Sequence, residues 1–295
     1  MSEGKITEGK IIKGIAGFYY VFTPLGLVEC KARGAFRNEG IKPLVGDNAT
    51  VEVISQNPLI GNVVKILPRK NSLIRPASAN IDQAMIIFAI TKPDPNYNLL
   101  DRFLINMNRQ DIPTVVCFNK KDIASENEMQ DLRSAYEGCG CKVLFVSGKV
   151  SDGLDDIMSC LKGKTTVVAG PSGVGKSTIV NALYPDAKME TQAISKKIER
   201  GKHTTRHAEL FSLGEDTFIM DTPGFTSLNV EGIEREDLWL QYPEFAPFEA
   251  FCKFGGCAHI KEPVCGIKDA VSENKISRIR YENYCRIYED IPRRY

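Results

Sequence analysis

The chain has 295 residues, 43% of them hydrophobic and 25% charged, with a formal net charge of +1. That is enough apolar material for two or three domains with cores of their own, and it excludes a disordered or fibrous chain. Bulk charge predicts no partner, although Lys and Arg outnumber Asp and Glu in the first seventy residues, a weak pointer to a polyanion. No apolar run is long enough to span a bilayer. Met1-Ser2-Glu3-Gly4-Lys5 lacks the basic start and apolar core of a signal peptide. A cytoplasmic protein without membrane association is therefore expected, and its nine cysteines read as thiols or metal ligands rather than disulfides.

Residues 1–70 read as all-β. Ile11 to Phe22 is rich in β-formers, with Gly14 and Gly17 as candidate bulges. Leu25-Gly26 and Val45-Gly46-Asp47-Asn48 are turn signals. Leu27–Ala32, Thr50–Ile54 and Gly61–Leu67 read as further strands. Four or five short strands in about seventy residues suit a small closed barrel, with the OB-fold the expected choice. Arg69 to Asn80 reads as an irregular linker.

From Ile81 the pattern becomes α/β. Apolar runs at Gln83–Ile90, Pro113–Phe118 and Val143–Val146 read as buried strands. Helical spacing covers Asn98–Gln110, Glu126–Tyr136 and Leu154–Leu161. Strands alternating with helices predict a parallel sheet with ligands at the strand C-termini.

The strongest motif follows the short strand Thr165–Ala169. Gly170-Pro171-Ser172-Gly173-Val174-Gly175-Lys176-Ser177 fits G-x-x-x-x-G-K-[ST], and Thr178 to Leu183 continues as a helix. Its glycines let backbone N–H groups face an anion at a helix N-terminus. Lys176 supplies a charge for the outer phosphates, and the Ser177 hydroxyl is placed to ligate Mg²⁺.

Two further motifs end strands upstream of it. Asn119-Lys120-Lys121-Asp122 is weak alone, since Asn and Asp are ordinary turn residues. Its chemistry is sharper. A carboxylate at Asp122 can accept from N1–H and the 2-amino group of guanine, a donor pair that adenine lacks. Asn119 can touch the purine, Lys120 can cover its ring, and the Ser147-Gly148-Lys149 loop can offer N–H to the guanine oxygen.

Downstream, Met189–Lys202 reads as a mobile segment ending in Gly201-Lys202-His203-Thr204-Thr205-Arg206. Two strands follow, Ala208–Leu213 and Thr217–Met220, and the second delivers Asp221-Thr222-Pro223-Gly224. An acid at that strand end suits the Mg²⁺ side of a phosphate site, and Gly224 can approach a γ-phosphate through its N–H. Phe225 cannot orient a water molecule, so His203 is the candidate for that task, with His207 a weaker rival. Thr205 is the candidate second Mg²⁺ ligand; spacing does not separate it from Thr204.

The last region, 231–295, opens on an aromatic stripe, Trp239, Tyr242, Phe245, Phe248 and Phe251, read as core. Cys252, Cys257, His259 and Cys265 then provide three thiolates and one imidazole, the donor set of a structural Zn²⁺ site. Cys285 reads as packing. Asn274–Tyr288 reads as a helix whose Lys275, Arg278, Arg280 and Arg286 form a solvated face.

These motifs resemble the five GTPase motifs in a circularly permuted order, base-reading before phosphate-binding. With an OB-like N-terminus and a Cys/His-rich C-terminus, the chain resembles the RsgA/YjeQ-type small ribosomal subunit biogenesis GTPases along all three regions: 1–70, 71–230 and 231–295. The expected architecture is an OB-like barrel, a permuted α/β P-loop GTPase domain and a mainly α zinc-binding domain. The resemblance supports His203, since such GTPases carry a His in a Gly-x-His-Thr-Thr stretch. It implies catalysis through His203, Lys176 and Thr205, Mg²⁺ at Ser177, Thr205 and Asp221, and one structural zinc. It also implies a monomeric switch hydrolysing GTP to GDP in late maturation of the small (30S) subunit, contact with 16S rRNA, and turnover stimulated by the subunit. The alternatives are a P-loop phosphotransferase and an RNA-binding module with a structural nucleotide.

Overall fold

The computed structural model describes residues 5–34, 36, 40–73, 77–183, 209–214, 216–221, 230 and 232–292. Five strands come first: β1 (Lys5–Ile15), β2 (Phe18–Thr23), β3 (Gly26–Ala32), β4 (Asn48–Gln56) and β5 (Leu59–Ile66). Two short strands follow, β6 (Ser72–Leu73) and β7 (Ser78–Ala79). Then strands and helices alternate: β8 (Gln83–Ala89), α1 (Tyr97–Asn108), β9 (Thr114–Asn119), α2 (Glu126–Tyr136), β10 (Lys142–Phe145), α3 (Leu154–Leu161), β11 (Thr165–Ala169) and α4 (Lys176–Leu183). Strands β12 (Glu209–Ser212) and β13 (Phe218–Asp221) precede the helices α5 (Ala246–Glu249), α6 (Gly266–Ser272) and α7 (Arg278–Asp290). The chain divides into two units. One is Met1–Gln83, Cys160–Val168 and Asp186–Pro223; the other is Ala84–Ser159, Ala169–Pro185 and Gly224–Tyr295.

In the first unit β1 to β5 close a barrel in the order β1-β2-β3-β5-β4, with β4 returning to β1. Alternation decides the faces. Val51 and Val53 point inward with Ile11, Val21, Val28, Cys30, Ala49 and Val63, while Glu52 lies on the outer side. Neither glycine of the first hairpin is a bulge. Gly14 pairs with Tyr19, and the register shift falls between Ile11 and Lys13. Gly17 (φ +86) shares the turn with Ala16 (φ +51), the paired positive φ that a tight two-residue hairpin demands.

The segment read as an irregular linker is tied to the barrel. Arg69 donates to both oxygens of the buried Asp47, Nε at 2.7 Å and Nη2 at 2.9 Å. The Asn80 amide donates to the Gly46 carbonyl at 3.0 Å, and β6 pairs with β7. The same unit holds β11 parallel to β13, with β12 antiparallel to β13 and bridged to β1 at Lys13 and Glu209.

In the second unit β10, β9 and β8 run parallel, and β8 is buried along its whole length. Helix α2 starts on a capping box: Glu128 N–H donates to Ser125 Oγ, and Ser125 N–H donates back to the Glu128 carboxylate. The C-terminal core gathers Tyr242, Phe245, Cys265, Ile267, Tyr284 and Ile287 with Ile105 of α1. Tyr242 and Phe245 fulfil the core expectation for the aromatic stripe, but Phe251 is 70% exposed because the chain turns there toward the cysteines.

The last helix begins at Arg278, and Arg280 does not belong to a solvated face. It is 2% exposed, with Nη1 on Asp101 at 2.6 Å and Nε on Glu244 at 2.7 Å. Asn283 and Tyr136 also donate to Asp101, at 3.0 and 3.1 Å. Burial pushes the Asp101 carboxyl above its ordinary value, and Arg280, Asn283 and Tyr136 pull it back. The Tyr242 ring lies under the guanidinium, 4.5 Å from centroid to Cζ.

Candidate functional site

Within the second unit the phosphate loop, residues 170–177, leaves β11 and enters α4. Two glycines are required by close approach. A Cβ on Gly170, at φ +146, would sit 2.0 Å from the Ile87 carbonyl oxygen. One on Gly175, at φ +93, would sit 2.3 Å from Asn119 Nδ2. Val174 is buried and anchors the loop, while Ser172, Gly173, Ser177 and Thr178 are exposed. The Lys176 ammonium curls back over the loop, donating to the carbonyls of Gly170 at 2.8 Å and Pro171 at 2.7 Å.

Asn119, at the end of β9, joins the two motifs. Its amide donates to the Val174 carbonyl at 2.8 Å, and its Oδ1 accepts from Gly148 N–H at 3.0 Å. Asn119 is buried, so both bonds are shielded from water. Ser147 is also buried, and its hydroxyl donates to Asp122 Oδ1 at 2.6 Å, fixing that exposed carboxylate. Paired backbone bonds between Ser147 and Asp152 close the loop carrying Gly148 and the exposed Lys149. Lys121 reaches Asp152 at 2.8 Å. The Lys120 ammonium donates to the Lys92 carbonyl.

The structure thus brings together Asn119, Lys120, Asp122, Ser147, Gly148, Lys149 and Gly170 to Thr178. Asp221 belongs to the other unit, where its backbone is in register with Val168, two residues before Gly170. His203, Thr204, Thr205, His207 and Gly224 lie outside the described residues.

A second group gathers Cys252, Cys257, His259 and Cys265, whose ligand atoms all lie within 4.8 Å of one another. Cys252 Sγ is 3.8 Å from Cys265 Sγ, and His259 Nδ1 is 3.5 and 3.4 Å from those sulfurs. The loop between the ligands is held from outside. Glu262 accepts from the N–H groups of Ala258 and Ile260, both at 2.9 Å. The hydroxyls of Tyr281 and Tyr284 donate to the His259 and Ala258 carbonyls, both at 2.7 Å. Burial pushes the Cys257 thiol up to about 12 and lowers His259, which keeps the imidazole neutral, the form that ligates. This group could hold a metal ion.

The family model described as RsgA GTPase matches residues 66–231, and that of the RsgA N-terminal domain matches residues 8–59. The chain belongs to the RsgA GTPase family. It is a GTPase, and its motif order is circularly permuted. A relative from Agathobacter rectalis, named small ribosomal subunit biogenesis GTPase RsgA, is 56% identical over 97% of this chain and 98% of its own length. A relative of the same name from Clostridium perfringens is 46% identical over 96% of this chain and 98% of its own. The crystal structure of YjeQ from Thermotoga maritima is 31% identical, with a TM-score of 0.80 over 98% of this chain and 100% of that one. That of YloQ, titled a circularly permuted GTPase, is 36% identical, with a TM-score of 0.76 over 99% of this chain and 98% of that one. The family models stop at residue 231, while the matches to relatives span nearly the whole chain.

Two contributors escape a reading of the sequence. Lys92 lies far from any motif, and only its carbonyl is used, which no side-chain pattern signals. Asp101 lies among apolar positions of α1, and its single outward sign is a charge on a helix buried around most of its circumference.

Proposed function

We propose that this chain is a GTP-hydrolysing switch in late maturation of the small (30S) ribosomal subunit; its relatives are named small ribosomal subunit biogenesis GTPase RsgA. The supporting observation is the pair of hydrogen bonds made by the Asn119 side chain, which ties the phosphate loop to the base-side loop although the two are inverted in chain order. In this reading Gly170 to Thr178 surround the phosphates, with Lys176 as the charge on the outer pair. Asn119, Lys120, Ser147, Gly148 and Lys149 line the base, and Asp122 accepts from the edge of guanine. Ser147 takes one acceptor position of the Asp122 carboxylate, and the remaining positions on its two oxygens can accept from that edge. Ser177, Asp221 and Thr205 would hold Mg²⁺, which neutralises phosphate charge when bound with nucleotide. Gly224 would contact the γ-phosphate, and His203 would position the water; both roles rest on motif order and resemblance.

The Cys/His group fits zinc. A tetrahedral ion with ordinary Zn–S and Zn–N lengths separates two sulfurs by about 3.8 Å and a sulfur from a nitrogen by about 3.6 Å. The 3.8, 3.5 and 3.4 Å separations here match that shape. Four protein donors leave no open position, so its role is structural. The division into a barrel over 1–70, a GTPase domain over 71–230 and a zinc region over 231–295 belongs to the same reading. So do a cytoplasmic monomer, contact with 16S rRNA, and turnover raised by the subunit. Among the described residues no helix is long and apolar enough to cross a membrane.

Hydrolysis of GTP against ATP, with and without purified small subunits, tests the proposal. GTP preference and stimulation by subunits are expected, and Asp122→Asn shifts preference toward xanthosine triphosphate because an amide donates where guanine also donates. Equal turnover of both nucleotides, or indifference to subunits, counts against it.

A further inference from the structure

The segment Thr91 to Asn96 joins β8 to α1 and carries no recognised motif, yet it reaches the phosphate loop. Pro93 Cδ comes within 3.9 Å of the position a Cβ on Gly173 would take. The segment is fixed at both ends. Ile90 N–H donates to the Asn119 carbonyl at 2.9 Å, and Asn96 Oδ1 caps α1 by accepting from Leu99 N–H at 3.0 Å. Between these points the Lys120 ammonium donates to the Lys92 carbonyl.

That contact is unusual for a half-exposed lysine, which ordinarily leaves its ammonium in water. Both residues also sit in the left-handed region, Lys120 at φ +69 and Lys92 at φ +47. Side chains other than glycine and asparagine keep such conformations where surrounding structure over-determines them, and these positions collect at ligand clamps. Lys120 follows Asn119 directly, so one backbone turn carries both links: the amide to Val174 and the ammonium to Lys92.

We propose that Lys120 is a positioning residue and that Thr91–Asn96 forms a further wall of the nucleotide pocket. By holding Lys92, Lys120 keeps Pro93 against Gly173, and this brace sets how long a guanine nucleotide stays bound. The proposal rests on the reading of this pocket as the nucleotide site.

Release of a fluorescent GDP analogue from the full chain, chased with excess GDP, tests it. Lys120→Met keeps the apolar stem that can lie along a base but removes the donor. Pro93→Gly keeps Lys120 and removes the ring beside Gly173. Lys120→Met speeds release by about three- to tenfold, the range expected for one lost hydrogen bond, and Pro93→Gly, which removes an apolar contact, speeds it by no more than that. The double variant releases no faster than the faster single one, because both changes break the same link. Lys120→Arg, which can still donate to the carbonyl, stays close to wild type. Multiplying effects in the double variant, or unchanged release by Lys120→Met, would overturn the proposal. If Lys120→Met fails to fold, Pro93→Gly decides alone, and unchanged release there overturns it. A wild-type chain that binds no GDP analogue would instead sink the nucleotide site itself.

Discussion

In the proposed nucleotide site, motif side chains bond to backbone, Asn119 to Val174 and Gly148 and Lys120 to Lys92, and to each other, Ser147 to Asp122. In the Cys/His group the ligand atoms meet mainly each other, and the surrounding bonds hold the loop rather than the ligands. Burial there works against thiolates, pushing Cys257 up to about 12, and His259 Nε2 is buried without a partner among the described residues. The motif side chains of the first site are held by protein partners. The second gathers three thiols and an imidazole that could hold a metal ion, and in the zinc reading that ion would be part of the fold.

The largest expected effect separates the two. Stripping metal with a chelator removes about 10 kcal/mol of linked binding free energy at such a site, and the C-terminal region loosens. Trp239 is the single tryptophan of the chain, and its ring lies 6.0 Å from that of His259, so its emission reports the change. Unaltered emission after complete metal removal would show a cluster that stands without an ion. Next comes Arg280→Leu, which leaves Asp101 and Glu244 buried without their cation. A loss of about 3–5 kcal/mol in urea unfolding is expected for a broken buried pair, with the same loss seen in both GDP-bound and nucleotide-free protein.

Asn119→Ala acts on the other side of the comparison. It removes two hydrogen bonds and weakens GDP binding by about 2 kcal/mol, roughly 30-fold, read by titration calorimetry, while the metal content stays at wild type. The smallest effect lies away from both sites. Hydrogen bonds from the Ser125 N–H and hydroxyl hold Glu128 below its ordinary value. Its contribution is therefore present above the unfolded carboxylate pKa and is lost as pH falls through the lower folded value. Glu128→Gln makes the acid limb of the stability curve slightly shallower; an identical limb would show that ionisation of Glu128 adds nothing to stability.

Much of this was legible in local pattern. The boundaries of α2, α3 and β11 follow from period, caps and β-branched runs, because each element's own residues decide them. The phosphate loop and the Cys/His group are compact in sequence, so spacing carries their chemistry. Arg280 was not legible, since its burial depends on Asp101 in a helix 179 positions earlier. The exposure of Phe251 and the tethering of Arg69–Asn80 follow likewise from distant partners, the cysteine loop in one case and Asp47 with Gly46 in the other. Lys92 contributes a backbone oxygen, which every residue has.

The span between Asp101 and Arg280 has a consequence in time as well as in space. A chain emerging from synthesis makes α1 early, with a carboxylate destined for a dry interior and nothing yet to neutralise it. Its counter-charge arrives only near the end of translation. Nascent protein therefore remains unfinished until α7 is made, and a prematurely terminated product lacking α7 would present an incomplete core to the cell's proteases instead of a working enzyme.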